Sequence, residues 1–192
     1  MLSKVVRREC GKCPQVLNDG KTEAEHLREL QKLWRNNGVC YNTCYKGILT
    51  IIKEALEIQK AIYDRDVYAS TSKWDECFAV AQPQVSSKPL RYFVLNPKWK
   101  ELVKAYEGEI IVNPRLLSKD RTTRIMFKEG CLSYPFRPPK KVKRFRKIEV
   151  TYVIIDNKGR ITEVPNKVLE EIPAIVFQHE LEHLNGKSIW SD

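Results

Sequence analysis

The segment Phe177-Gln178-His179-Glu180-Leu181-Glu182-His183-Leu184 contains the pattern His-Glu-x-x-His. On a helix, residues i and i+4 share a face, so His179 and His183 can point at one metal ion together. Glu180 lies about 100° further round the axis, close enough to reach a metal-bound water as a general base. The chain has three histidines, and two of them fall in this octet. Two solvated surface histidines would be the plain alternative. However, Ile175, Val176, Phe177, Leu181 and Leu184 make the helix apolar on several sides, and imidazoles in such surroundings need partners. A catalytic site of this kind takes a third protein ligand and keeps the fourth position for water. The candidate lies upstream, in Glu129-Gly130-Cys131-Leu132-Ser133. A lone cysteine is usually a small core hydrophobe, but beside a two-histidine motif Cys131 reads better as a thiolate ligand. Such a Cys/His/His set suits Fe(II), Zn(II), Co(II) or Ni(II) rather than Mg or Ca.

The elements that must position these residues can be read from periodicity. The final helix is expected over roughly Ile172 to Leu184, with Asn185-Gly186 as its stop. Before it, Tyr92–Leu95, Ile110–Val112 and Val150–Ile155 are short runs rich in β-branched and aromatic residues, as strands are. Asp156-Asn157-Lys158-Gly159 reads as a hairpin turn pairing Val150–Ile155 with Arg160–Val164. Cys131 follows a glycine and falls at a tight turn near a strand end. Upstream, Leu27, Leu30, Leu33 and Trp34 have helical spacing over Thr22 to Asn36. A second helix is expected from about Thr43 to Ala61. Residues 1–20 read as an irregular lead-in, and 21–192 as one catalytic domain. Strands followed by a buried helix give an α+β fold: antiparallel sheets packed around a central helix carrying His-Glu-x-x-His, with additional N-terminal helices.

Composition narrows the class. The 192 residues suit one core, and no apolar run is long enough to span a membrane. No secretory signal is apparent at the N-terminus. The six cysteines are therefore expected to be reduced in a cytoplasmic setting rather than paired. The net charge of +10 favours phosphate-rich or acidic partners.

Two of these segments carry a resemblance. Glu129-Gly130-Cys131-Leu132-Ser133 and Gln178-His179-Glu180-x-x-His183 are similar to the second and third motifs of the peptide deformylase family. Ile111-Val112-Asn113-Pro114 resembles that family's Asn-Pro strand, and the likeness runs from about Val67 to Trp190. The family's first motif, Gly-x-Gly-Leu-Ala-Ala-x-Gln, has a degraded counterpart in Cys77-Phe78-Ala79-Val80-Ala81-Gln82-Pro83-Gln84. There Cys77 and Ala79 replace both glycines, and Gln82 replaces an alanine.

The resemblance implies removal of the formyl group from N-formylmethionyl nascent peptides, with release of formate. It implies one divalent ion, Fe2+ as the native one, held by Cys131, His179 and His183. Glu180 is implied as acid/base, with the Gln84 side chain and the Leu132 backbone N–H as oxyanion donors. Phe78, Phe127, Ile172, Ile175 and Val176 match the methionine pocket, Ala79 the peptide-binding edge, and Arg137 is a candidate for holding a peptide carbonyl. The chain looks like the short forms of phages and organelles that lack a C-terminal helix. A cytoplasmic location is expected, that of a host if the chain is phage-encoded, with an organelle left open.

Further features have their own weight. In residues 137–147, seven of eleven are basic, which suits ribosomal RNA or simply an edge strand blunted with lysine. Cys10-x-x-Cys13 and Cys40-x3-Cys44 have tolerable zinc spacing, but unligated thiols are the expectation. A zinc endopeptidase would take its third ligand downstream, where Asp192 is the one carboxylate left. A non-catalytic RNA- or ribosome-binding protein would have no need of Glu180 and Gln84.

Overall fold

A computed structural model describes residues 41–63, 77–85, 90–131, 133–134, 136–156 and 160–191, with the backbone alone for 41–49. The expected helix over 22–36, the lead-in 1–20 and the Cys10/Cys13 pair lie outside the described residues, as does the hairpin turn at 157–159.

Helix α1 (Tyr41–Tyr63) is followed by the short strand β1 (Ala79–Ala81), a 3-10 turn over Gln82–Gln84, and β2 (Tyr92–Leu95). Then come helix α2 (Lys100–Tyr106), strands β3 (Ile110–Lys119), β4 (Arg124–Glu129), β5 (Lys140–Phe145), β6 (Lys147–Ile155) and β7 (Ile161–Glu170), and helix α3 (Glu171–Leu184). Five strands form an antiparallel sheet in the order β1-β2-β3-β6-β7, and β4-β5 form a separate ribbon. The expected α+β architecture is what the chain adopts. No helix among the described residues is long and apolar enough to cross a membrane.

The sheet has apolar cores on both faces. Phe93, Leu95 and Ile111 pack towards α3 with Ala174, Val176 and Phe177. Their strand neighbours Tyr92, Val94, Ile110 and Val112 pack towards α1 with Ile51, Ala55 and Ile58. Period-2 alternation sends successive residues to opposite faces, and with both faces covered the strands read as unbroken apolar runs. Phe177, fully buried, fixes α3 in place. Its ring meets Phe93 edge-on at 6.1 Å and stacks on Tyr106 at 6.4 Å. Burying a side chain of this size stabilises by about 2–3 kcal/mol.

Strands β3 and β7 run past the ends expected from sequence, and each does so through a proline. In β3 the register shifts between Val112 and Arg115, across Asn113-Pro114, with Asn113 at φ +51°. In β7 it shifts opposite Val150 and Tyr152, across Pro165. A bulge accepts a residue without an N–H, so the ladder resumes beyond it. Helix α3 starts one residue earlier than expected and ends at the expected stop. Gly186 has φ +74°, its N–H bonds to His183 O, and Lys187 N–H bonds to Glu182 O, closing the last turn as a glycine allows. The seven-residue α2 and the ribbon strand β4 were not expected. The latter's inward face alternates Ile125, Phe127 and Glu129 with exposed Arg124, Met126 and Lys128.

Candidate metal centre and catalytic site

One face of α3 supplies His179 and His183, and the turn after β4 supplies Cys131. The Cys131 Sγ lies 3.3 Å from His183 Nε2, which lies 3.2 Å from His179 Nε2. The three donor atoms fall within 4.8 Å of one another. Three soft or borderline donors converging from two elements fit a tetrahedral ion with one coordination position left over.

Electrostatics separates the two cysteines that are fully described. Burial, helped by the charge of Glu180, pushes the Cys77 thiol up to about 12. Burial would raise Cys131 too, but hydrogen bonds from His179 and His183 outweigh it and bring that thiol down to about 6. Burial alone would lower His179, yet its bonds to Cys131 and Glu129 carry it up to about 10. Without an ion the pair is therefore a thiolate beside an imidazolium.

Behind the donors stands a network that sequence reading missed. His179 Nδ1 bonds to Glu129 Oε2 at 2.8 Å. Glu129 receives two further bonds from Arg144, both 2.7 Å, and Arg144 also reaches both oxygens of Glu182. Arg144 is 3% exposed. Desolvation opposes the Glu129 charge, and the bonds from Arg144 and His179 outweigh it, so its pKa is lowered. A carboxylate on the far nitrogen of a ligating histidine fixes both tautomer and ring orientation. Arg144 was counted in the basic run, where composition offered no sign of burial. Its inward place follows from the pairing of β5 with β4, which sets it opposite Ile125.

Glu180 is 4% exposed, and its carboxylate interacts electrostatically with His179, His183 and Cys131. Burial raises its carboxyl, and His179 and His183 pull it back in part. Its Oε2 is buried with no hydrogen-bond partner among the described residues. An acidic oxygen with nothing to bond is costly, unless it faces water or substrate beside the ion.

The first-motif residues come to the same place. Gln84 Oε1 accepts from Ala81 N–H at 2.7 Å, and its Nε2 donates to Ser133 Oγ at 2.8 Å, joining this turn to the Cys131 segment. Leu132 lies outside the described residues. Ala79 is in β1, at the sheet edge. Of the apolar set, Phe127 is half-buried on the inward face of β4, two residues before Glu129. Ile172 and Ile175 lie on the α3 face that carries His179, at i−7 and i−4. Val176 is in the core, while Phe78 packs on it at the edge and tilts against Trp99 at 4.6 Å. Arg137 is exposed, between the rings of Tyr134 (5.0 Å) and Trp190 (5.2 Å).

A family profile described as Polypeptide deformylase matches residues 48–192, which extends the likeness upstream of Val67 to include most of α1. The chain is 35% identical over 145 residues to the peptide deformylase of Helicobacter pylori strain Shi470, covering 73% of this chain and 77% of that protein. It is 42% identical over 77 residues to that of Aquifex aeolicus, covering 40% and 41% respectively. Its fold is similar to that of a Plasmodium falciparum peptide deformylase, with a TM-score of 0.51 and 24% identity over 74% of this chain and 70% of the other. Two intact motifs, a profile match over three quarters of the residues and the convergent donor set agree: this chain belongs to the peptide deformylase family, metalloenzymes that deformylate nascent peptides.

Proposed function

We propose that the reaction is carried by Cys131, His179 and His183 as ligands of one divalent ion, with Glu180 as acid and base. The observation that supports this most is the approach of the three donor atoms to within 4.8 Å of one another. When bound, the ion supplies Lewis acidity, lowering the pKa of water and polarising the formyl oxygen. Glu180 takes a proton from the attacking water at its unpartnered Oε2 and returns it to the departing amine nitrogen. Burial raises its pKa, which makes it a readier proton acceptor than an exposed carboxylate. The products are formate and a free N-terminal methionine. Gln84 Nε2 and the Leu132 N–H donate to the oxyanion, each worth about 3 kcal/mol. Phe127, Ile172 and Ile175 take the methionine side chain, Val176 and Phe78 back that pocket from the core, and Ala79 offers backbone at the open sheet edge. Arg137 holds a carbonyl further along the peptide.

Among the ions this donor set accepts, availability in the cell selects rather than affinity, and we assign Fe2+, with Zn2+, Ni2+ and Co2+ able to replace it. The compartment we assign is the cytoplasm. Formate release from formyl-Met-Ala by anaerobically Fe-loaded protein, with Glu180→Ala as control, tests the assignment. Cleavage of unformylated peptides instead would mark a peptidase, and absence of both a binder.

An RNA partner has a narrower basis than the whole run 137–147. Arg144, Arg146 and Lys147 are each paired with a glutamate. Exposed Lys128, Lys141 and Lys143 are not ion-paired among the described residues, and Lys128 stands directly opposite Lys141. Arg124 and Lys119 share the ring of Phe145. A ribbon face of like charges costs a few tenths of a kcal/mol per opposed pair, which phosphates would offset, and ribosomal RNA is the partner we assign to it.

A further inference from the structure

Gln82 stands where the family's first motif has its second alanine, and it is fully buried. A buried amide is costly unless both ends are bonded. Here Oε1 accepts from Leu90 N–H at 2.6 Å, and Nε2 donates to Glu54 Oε2 at 3.2 Å. The same carboxylate oxygen accepts from the hydroxyl of Tyr92, itself fully buried, at 3.1 Å. One side chain thus ties together α1, the 3-10 turn and the approach to β2, and an alanine could make none of these bonds.

Two residues on, the same turn presents Gln84, held between Ala81 N–H and Ser133 Oγ. The residue between them is Pro83, whose ring fixes φ and removes an N–H. A shift of Gln82 therefore passes along a stiff link to Gln84. We infer that Gln82 is a positioning residue for the oxyanion donor Gln84, anchored by Glu54, so that helix α1 takes part in the catalytic site from the opposite face of the sheet. The inference rests on the reading of Gln84 as a substrate-facing donor.

Steady-state deformylation of formyl-Met-Ala by the metal-loaded full chain tests it, with metal content and thermal midpoint measured for every variant. Gln84→Ala is expected to lower kcat about 10²-fold. Gln82→Ala is expected to lower kcat about 10-fold, a part of that donor's effect, with KM and metal content unchanged. Glu54→Ala changes kcat in the same direction, whereas Glu54→Gln, which keeps an acceptor oxygen, restores it. In the Gln84→Ala background, Gln82→Ala adds nothing further. Full additivity of the two would overturn the inference, as would a loss of folded protein with kcat per folded, metal-loaded molecule unchanged. If Gln82→Ala does not fold, the Glu54 pair of variants decides the question alone. A wild-type chain that releases no formate would remove the deformylase reading itself, a result distinct from additivity.

Discussion

Replacing Arg144 by methionine separates a buried network from a surface one. Arg144 is 3% exposed and bonds to Glu129, 5% exposed, and to Glu182. Removing it leaves Glu129 charged and buried with His179 as its remaining side-chain partner. Breaking a buried pair from one side costs about 3–5 kcal/mol. For a chain of this length that is roughly 6–20 °C in thermal midpoint, at about 2–4 °C per kcal/mol. The Arg146–Glu171 pair is the control, since its side chains are 57% and 45% exposed. Arg146→Met is expected to cost about 0–1 kcal/mol. A second effect falls on the metal. With Glu129 no longer held, the ring of His179 loses its orientation, and affinity should drop about 10–100-fold. Thermal unfolding and a competitive chelator titration read the two effects separately. Adding Glu129→Gln to Arg144→Met removes the stranded charge and should recover part of the stability without recovering the metal affinity. Equal midpoints for Arg144→Met and Arg146→Met, with unchanged metal affinity, would refute the reasoning.

The remaining expectations concern chemistry and charge. Glu180→Ala should keep its metal yet lose about 10²–10⁴ in kcat; a metal-loaded variant with near wild-type turnover would remove Glu180 as the proton carrier. In the metal-free chain the depressed Cys131 favours folding above its unfolded pKa, a contribution lost as pH falls through about 6. The raised His179 favours folding below its unfolded pKa, a contribution lost as pH rises through about 10. Between those limits the thiol has already ionised, so metal binding should release one proton from His179. Calorimetry in buffers of different ionisation enthalpy counts it, and a count of two at pH 8 would contradict the thiolate–imidazolium pair. Replacing Lys128, Lys141 and Lys143 by glutamine should lower the salt slope of ribosomal RNA binding by roughly 2–3, at about 0.7–0.9 per phosphate contact. The same change at Lys53, Lys98 and Lys100 should leave the slope higher than the ribbon variant's, and equal slopes would show net charge alone at work.

The candidate ligands His179 and His183 and the candidate acid/base Glu180 were legible in the chain because local geometry dictates their placement, and Cys131 was legible through the motif around it. Helical spacing puts His179 and His183 on one face whatever surrounds the helix, and Glu180 follows from the same period. Likewise, the hairpin of β6 and β7 and the stop at Asn185-Gly186 needed only short-range turn chemistry. What tertiary structure decided was everything that depends on residues distant in sequence. The inward register of β4 and β5 turned one arginine of a basic run into the buried clamp on Glu129, and so on His179. The strands expected over 110–112 and 160–164 stopped short of the prolines at 114 and 165, and only pairing with β6 carried them past those residues as bulges within longer strands. Gln82 looked like decay of a motif until α1 brought Glu54 within 3.2 Å of it. In each case the free energy lies in a contact between two residues far apart in the chain, and no period or local propensity of a single segment encodes such a contact.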